Sequence, residues 1–282
     1  MNILITGSNG QLGNEMRIKS TQYPQHRYWL TDIDELDITD PNAIQNFVKT
    51  NAIDIIVNCA AYTNVDKAED DEATAHLINA QAVENLAMTS AKIIHISTDY
   101  VFAGDSSIPY TETDTPMPRT AYGRTKLEGE RRLLQLKPDS IILRTAWLYS
   151  SFGNNFVKTM LRLANEREQL SVVFDQIGTP TYAADLAQAV FETINAPQWQ
   201  AGIYHFTNEG VCSWYDFAYE IFRLSHHTCQ VQPILSSQYT YRTPRPHYSV
   251  LDKQKFSTTF HMTIPHWTDG LQRCLRQLLQ PA

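Results

Sequence analysis

Short apolar runs alternate with stretches of helical period along the first half of the chain. Five of these runs are apolar nearly throughout, as expected for strands covered on both faces: 3–6, 27–31, 54–58, 92–97 and 140–144. Four stretches of helical spacing are interleaved with them: 11–20, 41–51, 72–90 and 122–136. This order predicts an α/β fold in which crossover helices link the strands of a parallel sheet.

The alternation of apolar runs and helical stretches becomes less regular after Trp147. It predicts a helix over 154–168, a strand over 170–174 and a helix over 182–195, followed by irregular structure over 230–248. Residues 103–120 hold three prolines and no sustained period, which predicts a long loop, and such loops in compact domains are usually functional. The second half therefore indicates a smaller region added to the sheet.

Composition narrows the class of protein. Of the 282 residues, 43% are hydrophobic and 19% are charged, which is typical of a folded globular chain. The net charge of -7 argues against a nucleic acid or an anionic membrane surface as partner. The four cysteines have no disulfide or zinc spacing, and the N-terminus lacks the features of a signal peptide. We therefore expect a cytoplasmic protein.

A glycine-rich turn follows the first predicted strand. Gly7, Gly10 and Gly13 form a GxxGxxG spacing where the strand passes into a helix. Glycines there allow a tight turn and let backbone N–H groups approach a pyrophosphate at the helix N-terminus. The spacing alone also fits a turn without a ligand. With the alternating strands, it predicts a Rossmann-type doubly wound parallel sheet with a smaller C-terminal substrate-binding region.

Asp32 strengthens the prediction of a dinucleotide site. It follows the second strand 19 residues after Gly13, close to the ~20 expected for a carboxylate that accepts the adenosine ribose hydroxyls. A carboxylate there repels a 2′-phosphate, so NADH should be usable, although Arg17 and Arg27 leave NADPH open. The predicted division is 1–147 with 170–204 for the dinucleotide-binding domain, and 148–169 with 205–282 for the substrate-binding domain.

A candidate proton donor lies at the start of the helix predicted over 122–136. Tyr122 and Lys126 are four residues apart and share one helical face. A neighbouring ammonium would lower the pKa of the phenol, and Thr98, at the end of a strand, could hydrogen-bond the same carbonyl oxygen. A tyrosine–lysine pair is also common on solvated helix faces. After a nucleotide-binding sheet, however, it indicates reduction of a ketone by hydride.

These motifs resemble the extended short-chain dehydrogenase/reductases, and within them the family that reduces dTDP-4-dehydrorhamnose. The resemblance spans nearly the whole chain and includes five further segments: 64–69, 144–149, 153–156, 175–181 and 245–252. It implies an NADPH- or NADH-dependent reductase of a dTDP-linked 4-keto sugar, used in polysaccharide biosynthesis.

The resemblance also implies roles for single residues. Tyr122 would donate the proton, Lys126 would hold the nicotinamide ribose, and Thr98 would assist at the carbonyl. The other cofactor-binding residues would be Gly7, Gly10, Gln11, Leu12 and Gly13 at the pyrophosphate, Asp32 at the ribose, Asp37 and Ile38 near the adenine, and Ala61, Tyr62 and Thr63 along the central stretch. The substrate would be contacted by Thr98, Asp99, Trp147 and Arg245.

Two differences from relatives matter. Related dehydratases carry an Asp-Glu pair after the threonine, whereas Asp99 here is followed by Tyr100, which favours plain reduction. Relatives have been described as magnesium-bridged homodimers that use acidic side chains near the C-terminus. Residues 270–282 contain no Asp or Glu, which argues against a Mg²⁺ bridge and leaves both a homodimer and a monomer open.

Three other functions stay open at this point. The chain could be a nucleotide-sugar epimerase, a reductase of another 4-keto sugar, or a regulatory subunit that binds a dinucleotide without turnover, like the β-subunit of methionine adenosyltransferase. The presence of Thr98, Tyr122 and Lys126 argues against the regulatory subunit.

Overall fold

A six-stranded parallel sheet forms the centre of the computed structural model, which describes residues 1–279. Residues 280–282 lie outside the described residues. They are the end of the predicted substrate-binding domain and of the segment 270–282 that contains no Asp or Glu. The strand order is β10-β5-β4-β3-β1-β2. These strands are β1 (Asn2–Thr6), β2 (Arg27–Thr31), β3 (Ile55–Asn58), β4 (Lys92–Thr98), β5 (Ile141–Thr145) and β10 (Gly202–His205).

The helices cover both faces of this sheet. Those of the first half are α1 (Gln11–Ser20), α2 (Pro41–Thr50), α3 (Val65–Asp70), α4 (Glu72–His76), α5 (Ala82–Ala87) and α6 (Ala121–Leu136). Asp40 caps α2 by accepting hydrogen bonds from the backbone of Asn42 and Ala43, and Pro41 occupies its first turn. The Rossmann-type prediction is confirmed, and α1 and β2 have the predicted bounds.

The helix predicted over 72–90 is interrupted. A π-helical turn, Leu77–Gln81, separates α4 from α5. Asn79 within this turn is buried, and its side chain bonds the backbone of Tyr62 and the hydroxyl of Thr125. Such turns insert one extra residue into a helix and often occur at functional sites.

A second, smaller layer lies beside the sheet. Its elements are β6 (Leu148–Tyr149), α7 (Phe156–Glu166), β7 (Gln169–Val173), β8 (Ile177–Gly178), β9 (Thr181–Tyr182), β11 (Cys212–Ser213), α9 (Trp214–Ser225), β12 (Gln230–Ile234) and α11 (Trp267–Leu279). The prediction of irregular structure over 230–248 is wrong for residues 230–234, because these form β12 and pair in parallel with β7.

This pairing bears on the division into domains. Strand β7 lies outside the six-stranded sheet, and its Leu170 and Val172 pack with α7 and α9 in the apolar core of the smaller layer. Helices α8 (Ala183–Asn195) and α10 (Gln254–Phe260) instead pack in the core of the main sheet. We propose that the two-part division holds with β7 moved to the smaller part and α10 moved to the larger.

The structure shows no helix within residues 1–279 that is long and apolar enough to cross a membrane.

Candidate active site

One large cavity, of about 1030 Å³, opens at the carboxyl ends of the parallel strands. Thr6, Cys59, Thr98 and Thr145, at or just after the ends of β1, β3, β4 and β5, line it. Ligands of open α/β sheets bind in such crevices. All the predicted site residues line this cavity except Tyr62 and Arg245.

The glycine turn forms the floor at one end. Gly7 has a φ of +64°, and a Cβ there would lie 2.7 Å from the backbone of Ala60. A Cβ on Gly13 would lie 2.5 Å from the Cα of Ser8, so both positions require glycine. Gly10 differs, because a Cβ would meet only the Gly7 carbonyl oxygen, at 3.2 Å.

The N-terminus of α1 is open towards the cavity. Gly10 is its N-cap residue and provides no side-chain hydrogen bond to the first turn. The first N–H groups of the helix therefore lack the side-chain partner that capping residues usually give. With no Cβ at Gly10, this arrangement fits an approaching pyrophosphate.

Asp32 stands at the rim beyond this turn. Its carboxylate accepts hydrogen bonds from the backbone N–H of Asn9, at 2.9 Å, and of Ile33, at 2.9 Å. The carboxylate is thus held against the glycine turn, at the distance along the chain expected of a ribose ligand. Ile33, Leu36 and Thr39 also line this end, and no local motif singled them out.

Thr98, Tyr122 and Lys126 line the opposite end together. Burial raises the pKa of the Tyr122 phenol, and hydrogen bonding to Thr98 opposes that rise. The pKa therefore lies above that of an ordinary phenol, and the lowering expected from Lys126 stays a prediction. Because burial disfavours the phenolate, Tyr122 keeps its proton at neutral pH, which suits a proton donor.

Asp99 borders the same three groups. It is buried, one of its carboxylate oxygens accepts a hydrogen bond from Thr98 at 2.9 Å, and the other has no hydrogen-bond partner within residues 1–279. Burial raises its pKa to about 6, against the hydrogen bond from Thr98. Asp99 lines the cavity, and a buried carboxylate oxygen without a hydrogen-bond partner is uncommon in folded proteins.

Lys126 belongs to a buried polar chain. Its ammonium donates a hydrogen bond to the carbonyl of Ile96, at 2.7 Å, and lies 3.4 Å from the Nε2 atom of His95. The Nδ1 atom of His95 lies 3.1 Å from the amide of Asn58, which in turn accepts a hydrogen bond from Thr6. Burial lowers the pKa of Lys126 to about 8. Sequence reasoning missed His95, within β4, and Asn58, at the end of β3.

Trp147 forms the wall of the cavity on the side of the smaller layer. Its φ is +49°, a strained value for a bulky residue, and its ring stacks on that of Trp214 with centroids 3.5 Å apart. Gly178 lies against the ring, because a Cβ there would be 2.5 Å from Trp147. Trp214 was missed, since only the fold brings it to Trp147.

Arg245 does not reach the cavity wall. It donates a hydrogen bond to Asp66, at 2.7 Å, on helix α3, and it also interacts with Tyr100, which does line the cavity. One nitrogen of Arg245 and one oxygen of Asp66 are buried without a hydrogen-bond partner among the described residues. Tyr62 is likewise turned away and packs beside Tyr122.

One contact joins the smaller layer to the glycine turn. The side-chain amide of Asn155, just before α7, donates a hydrogen bond to Gln11 at 2.9 Å. Gly153, with a φ of +61°, lies against the same glutamine and lines the cavity. The segment 153–156 is part of the resemblance, and its contact with Gln11 depends on the fold and is not indicated by any local pattern.

The parallel sheet, the glycine turn and the Thr98, Tyr122 and Lys126 group define the class of protein as short-chain dehydrogenase/reductase. Within that class, the chain belongs to the family described as RmlD substrate binding domain, whose profile matches residues 1–280.

Individual relatives cover almost the whole chain. The dTDP-4-dehydrorhamnose reductase of Aggregatibacter actinomycetemcomitans is 40% identical over 96% of this chain and 97% of its own. A probable dTDP-4,6-dihydroxy-2-methyloxan-3-one 4-ketoreductase of Streptomyces antibioticus is 39% identical over 99% of this chain and 96% of its own. A crystal structure of Bacillus anthracis dTDP-4-dehydrorhamnose reductase in complex with NADP superimposes with a TM-score of 0.94, at 39% identity over 98% of this chain and 99% of that one.

Proposed function

We propose that the protein reduces the C4 ketone of dTDP-4-dehydro-L-rhamnose to dTDP-L-rhamnose with NADPH or NADH. The observation that carries the proposal is that Thr98, Tyr122 and Lys126 share one cavity with the glycine turn. The names of relatives about 40% identical over nearly the full length support the substrate. We further propose that the protein works in the cytoplasm on this dTDP-sugar.

The residues at the two ends of the cavity fit a nicotinamide dinucleotide. The N–H groups at the start of α1 would hold the pyrophosphate, Asp32 the adenosine ribose and Lys126 the nicotinamide ribose. When bound, the dinucleotide supplies the hydride. The cavity volume of about 1030 Å³ lies at the upper end of the ~300–1,000 Å³ usual for ligand sites, as a dinucleotide and a sugar nucleotide together require.

Proton delivery is assigned to the Tyr122 hydroxyl. As negative charge develops on the C4 oxygen, Tyr122 donates its proton and Thr98 donates a hydrogen bond to the same atom. The raised pKa of Tyr122 in the buried site keeps the proton available for reduction. Lys126, held by Ile96, places a positive charge nearby and favours the phenolate that results.

The sugar is assigned to the wall formed by Trp147 and Asp99. Trp147 offers a flat apolar surface, and the carboxylate of Asp99, which also lines the cavity, would accept a hydrogen bond from a sugar hydroxyl. Arg245 is proposed to bind the pyrophosphate of the dTDP group after leaving Asp66, whose carboxylate it now contacts.

The experiment is a substrate comparison. The purified protein is mixed with NADPH or NADH and with dTDP- or GDP-linked 4-keto-6-deoxy sugars, and loss of absorbance of the reduced cofactor is followed. We expect turnover with dTDP-4-dehydro-L-rhamnose. Turnover with the GDP compound alone would refute the substrate, and absence of turnover with every compound would refute the reductase.

A second candidate is reduction of a different dTDP-linked ketone. The Streptomyces antibioticus relative, named as a probable 4-ketoreductase of another dTDP-sugar, favours it. A higher kcat/KM for such a sugar than for dTDP-4-dehydro-L-rhamnose, measured in the same assay, would select this candidate.

A further inference from the structure

We propose that Arg17 binds the adenosine 2′-phosphate of NADPH and that this residue lets the chain use a phosphorylated cofactor despite Asp32. The inference rests on the proposed function, because it assigns a residue to the adenosine end of the same dinucleotide site. It concerns recognition of a phosphate and not the reduction itself.

The position of Arg17 follows from the direction of helical side chains. Arg17 lies on the exposed side of α1, whose opposite side packs on the sheet through Leu12 and Met16. Long side chains in a helix point back towards its N-terminus. The guanidinium of Arg17 accordingly returns to the glycine turn, where it lies 3.4 Å from the Ser8 hydroxyl and 3.5 Å from the Asn9 side-chain oxygen.

Asn9 connects this guanidinium to the predicted ribose site. The backbone N–H of Asn9 donates to the Asp32 carboxylate, while its side-chain oxygen faces Arg17. Asp32 and Arg17 therefore both contact Asn9, Asp32 at its backbone N–H and Arg17 at its side-chain oxygen. Asn9 lines the cavity, and Arg17, which is not itself part of the lining, contacts Asn9 on the side where we place a phosphate on the ribose 2′-oxygen.

The charge of Arg17 is available to a ligand. Within residues 1–279 it forms no ion pair within 4 Å, and its two contacts are with neutral oxygen atoms at the long end of the hydrogen-bond range. Arg27, the other arginine near Asp32 in the sequence, has a different environment in the structure. Arg27 lies over the ring of Trp29, 4.6 Å from its centroid, away from Asn9.

The two groups together would give a site that accepts both cofactors. Asp32 accepts hydroxyls of an unphosphorylated ribose, and a guanidinium beside it can bind a 2′-phosphate through charge-assisted hydrogen bonds. Such bonds to a charged group correspond to a ~10- to 100-fold change in affinity.

Isothermal titration with two small probes tests the assignment without turnover. Adenosine 2′,5′-bisphosphate and 5′-AMP differ only in the 2′-phosphate, and NADP⁺ and NAD⁺ provide the same comparison on the whole cofactor. Arg17→Gln should weaken binding of the bisphosphate and of NADP⁺ at least ~10-fold and leave 5′-AMP and NAD⁺ within about twofold. The matched control, Arg27→Gln, should leave all four affinities unchanged.

The outcomes separate this proposal from the proposed function. Three outcomes would overturn the role of Arg17 and leave the reductase intact. Arg17→Gln could lose equal affinity for phosphorylated and unphosphorylated probes, it could lose affinity for neither, or Arg27→Gln could lose as much affinity as Arg17→Gln. A wild-type protein that binds none of the four probes would refute the dinucleotide site and the proposed function with it.

Discussion

The two walls of the cavity are built in different ways. The wall proposed for the cofactor depends on close backbone packing, because Gly13 lies against Ser8 and Gly7 lies against Ala60, with no room for a Cβ at either glycine. The wall proposed for the sugar comes from three separate stretches, since the ring of Trp147 stacks on that of Trp214 and packs on the backbone of Gly178. One wall therefore depends on packing between backbone segments and the other on the stacking of side chains.

The first prediction concerns the proton that Tyr122 is proposed to donate. Tyr122→Phe should lower kcat by about 10²- to 10⁴-fold, because it removes the proton donor and little area. The Kd of NADPH should not change. Tyr204→Phe, whose hydroxyl bonds Gln200 at the edge of the sheet, is the control and should retain wild-type kcat. A Tyr122→Phe enzyme of normal kcat would show that the proton comes from elsewhere.

The second prediction breaks the cofactor wall. Gly13→Ala should destabilise the fold by about 3 kcal/mol, because its Cβ would overlap the backbone of Ser8. Gly10→Ala should unfold near the wild-type denaturant midpoint but bind NADPH more weakly, since its Cβ faces the open turn. Urea unfolding and NADPH titration of both variants make the comparison. Equal stability of the two variants would contradict the geometry.

The third prediction tests the packing behind this wall. Glu15 on α1 is buried beside Asp185, whose carboxylate is paired with Arg273, and one Glu15 oxygen has no hydrogen-bond partner within residues 1–279. Burial, followed by repulsion from Asp185, raises its pKa to about 7, with Lys19 opposing. Because the folded state holds this proton to higher pH than the unfolded chain, stability falls as pH rises from about 5 to 8.

Glu15→Gln removes that titration. Its free energy of unfolding should exceed the wild-type value at pH 8 by on the order of 2 kcal/mol, and the difference should shrink at pH 5. Urea denaturation at both pH values measures it. The exposed Glu166→Gln serves as control and should show no such trend. A Glu15→Gln advantage that grows towards acid pH would reverse the sign and refute the assignment.

The fourth prediction breaks the sugar wall. Trp214→Leu should raise the KM for the sugar nucleotide about tenfold while kcat and the Kd of NADPH stay unchanged, because Trp147 loses a stacking partner worth about 0.5–1.5 kcal/mol. Trp199→Leu, far from Trp147 and bonded to Asp139, is the control. If Trp214→Leu weakened NADPH binding as much as sugar binding, the two walls would not be independent.

The sequence predicted the cofactor side of the molecule well for a physical reason. The bounds of α1 and β2 and the lining role of Gly10 and Asp32 depend on neighbours close in the chain, such as the turn between β1 and α1. Burial on both faces also makes the central strands rich in apolar residues, so that five of the six could be located, whereas β10 at the edge of the sheet and the strand order were not predicted.

The remaining features depend on contacts that no local pattern contains. Trp214 meets Trp147 across 67 positions of the chain, and Arg245 turns to Asp66, 179 positions away. The pairing of β12 with β7 makes a strand of a segment whose composition suggests a loop. The pKa of Tyr122 could not be predicted either, because the burial that raises it depends on the folded structure.

The π-helical turn at Leu77–Gln81 has a consequence for how this chain can vary in length. Its additional residue shifts α5 about 100° in phase relative to α4, and Asn79 faces inward only in that register. Deleting a single amino acid there would make the helix regular, but it would turn Asn79 away from Tyr62 in the loop after β3 and from Thr125 on α6. It would also remove the carbonyl of Asn79 from the space that Gly129 on α6 leaves for it. Substitution at Leu77, which is 43% exposed, should be far better tolerated than loss of any one position between 77 and 81.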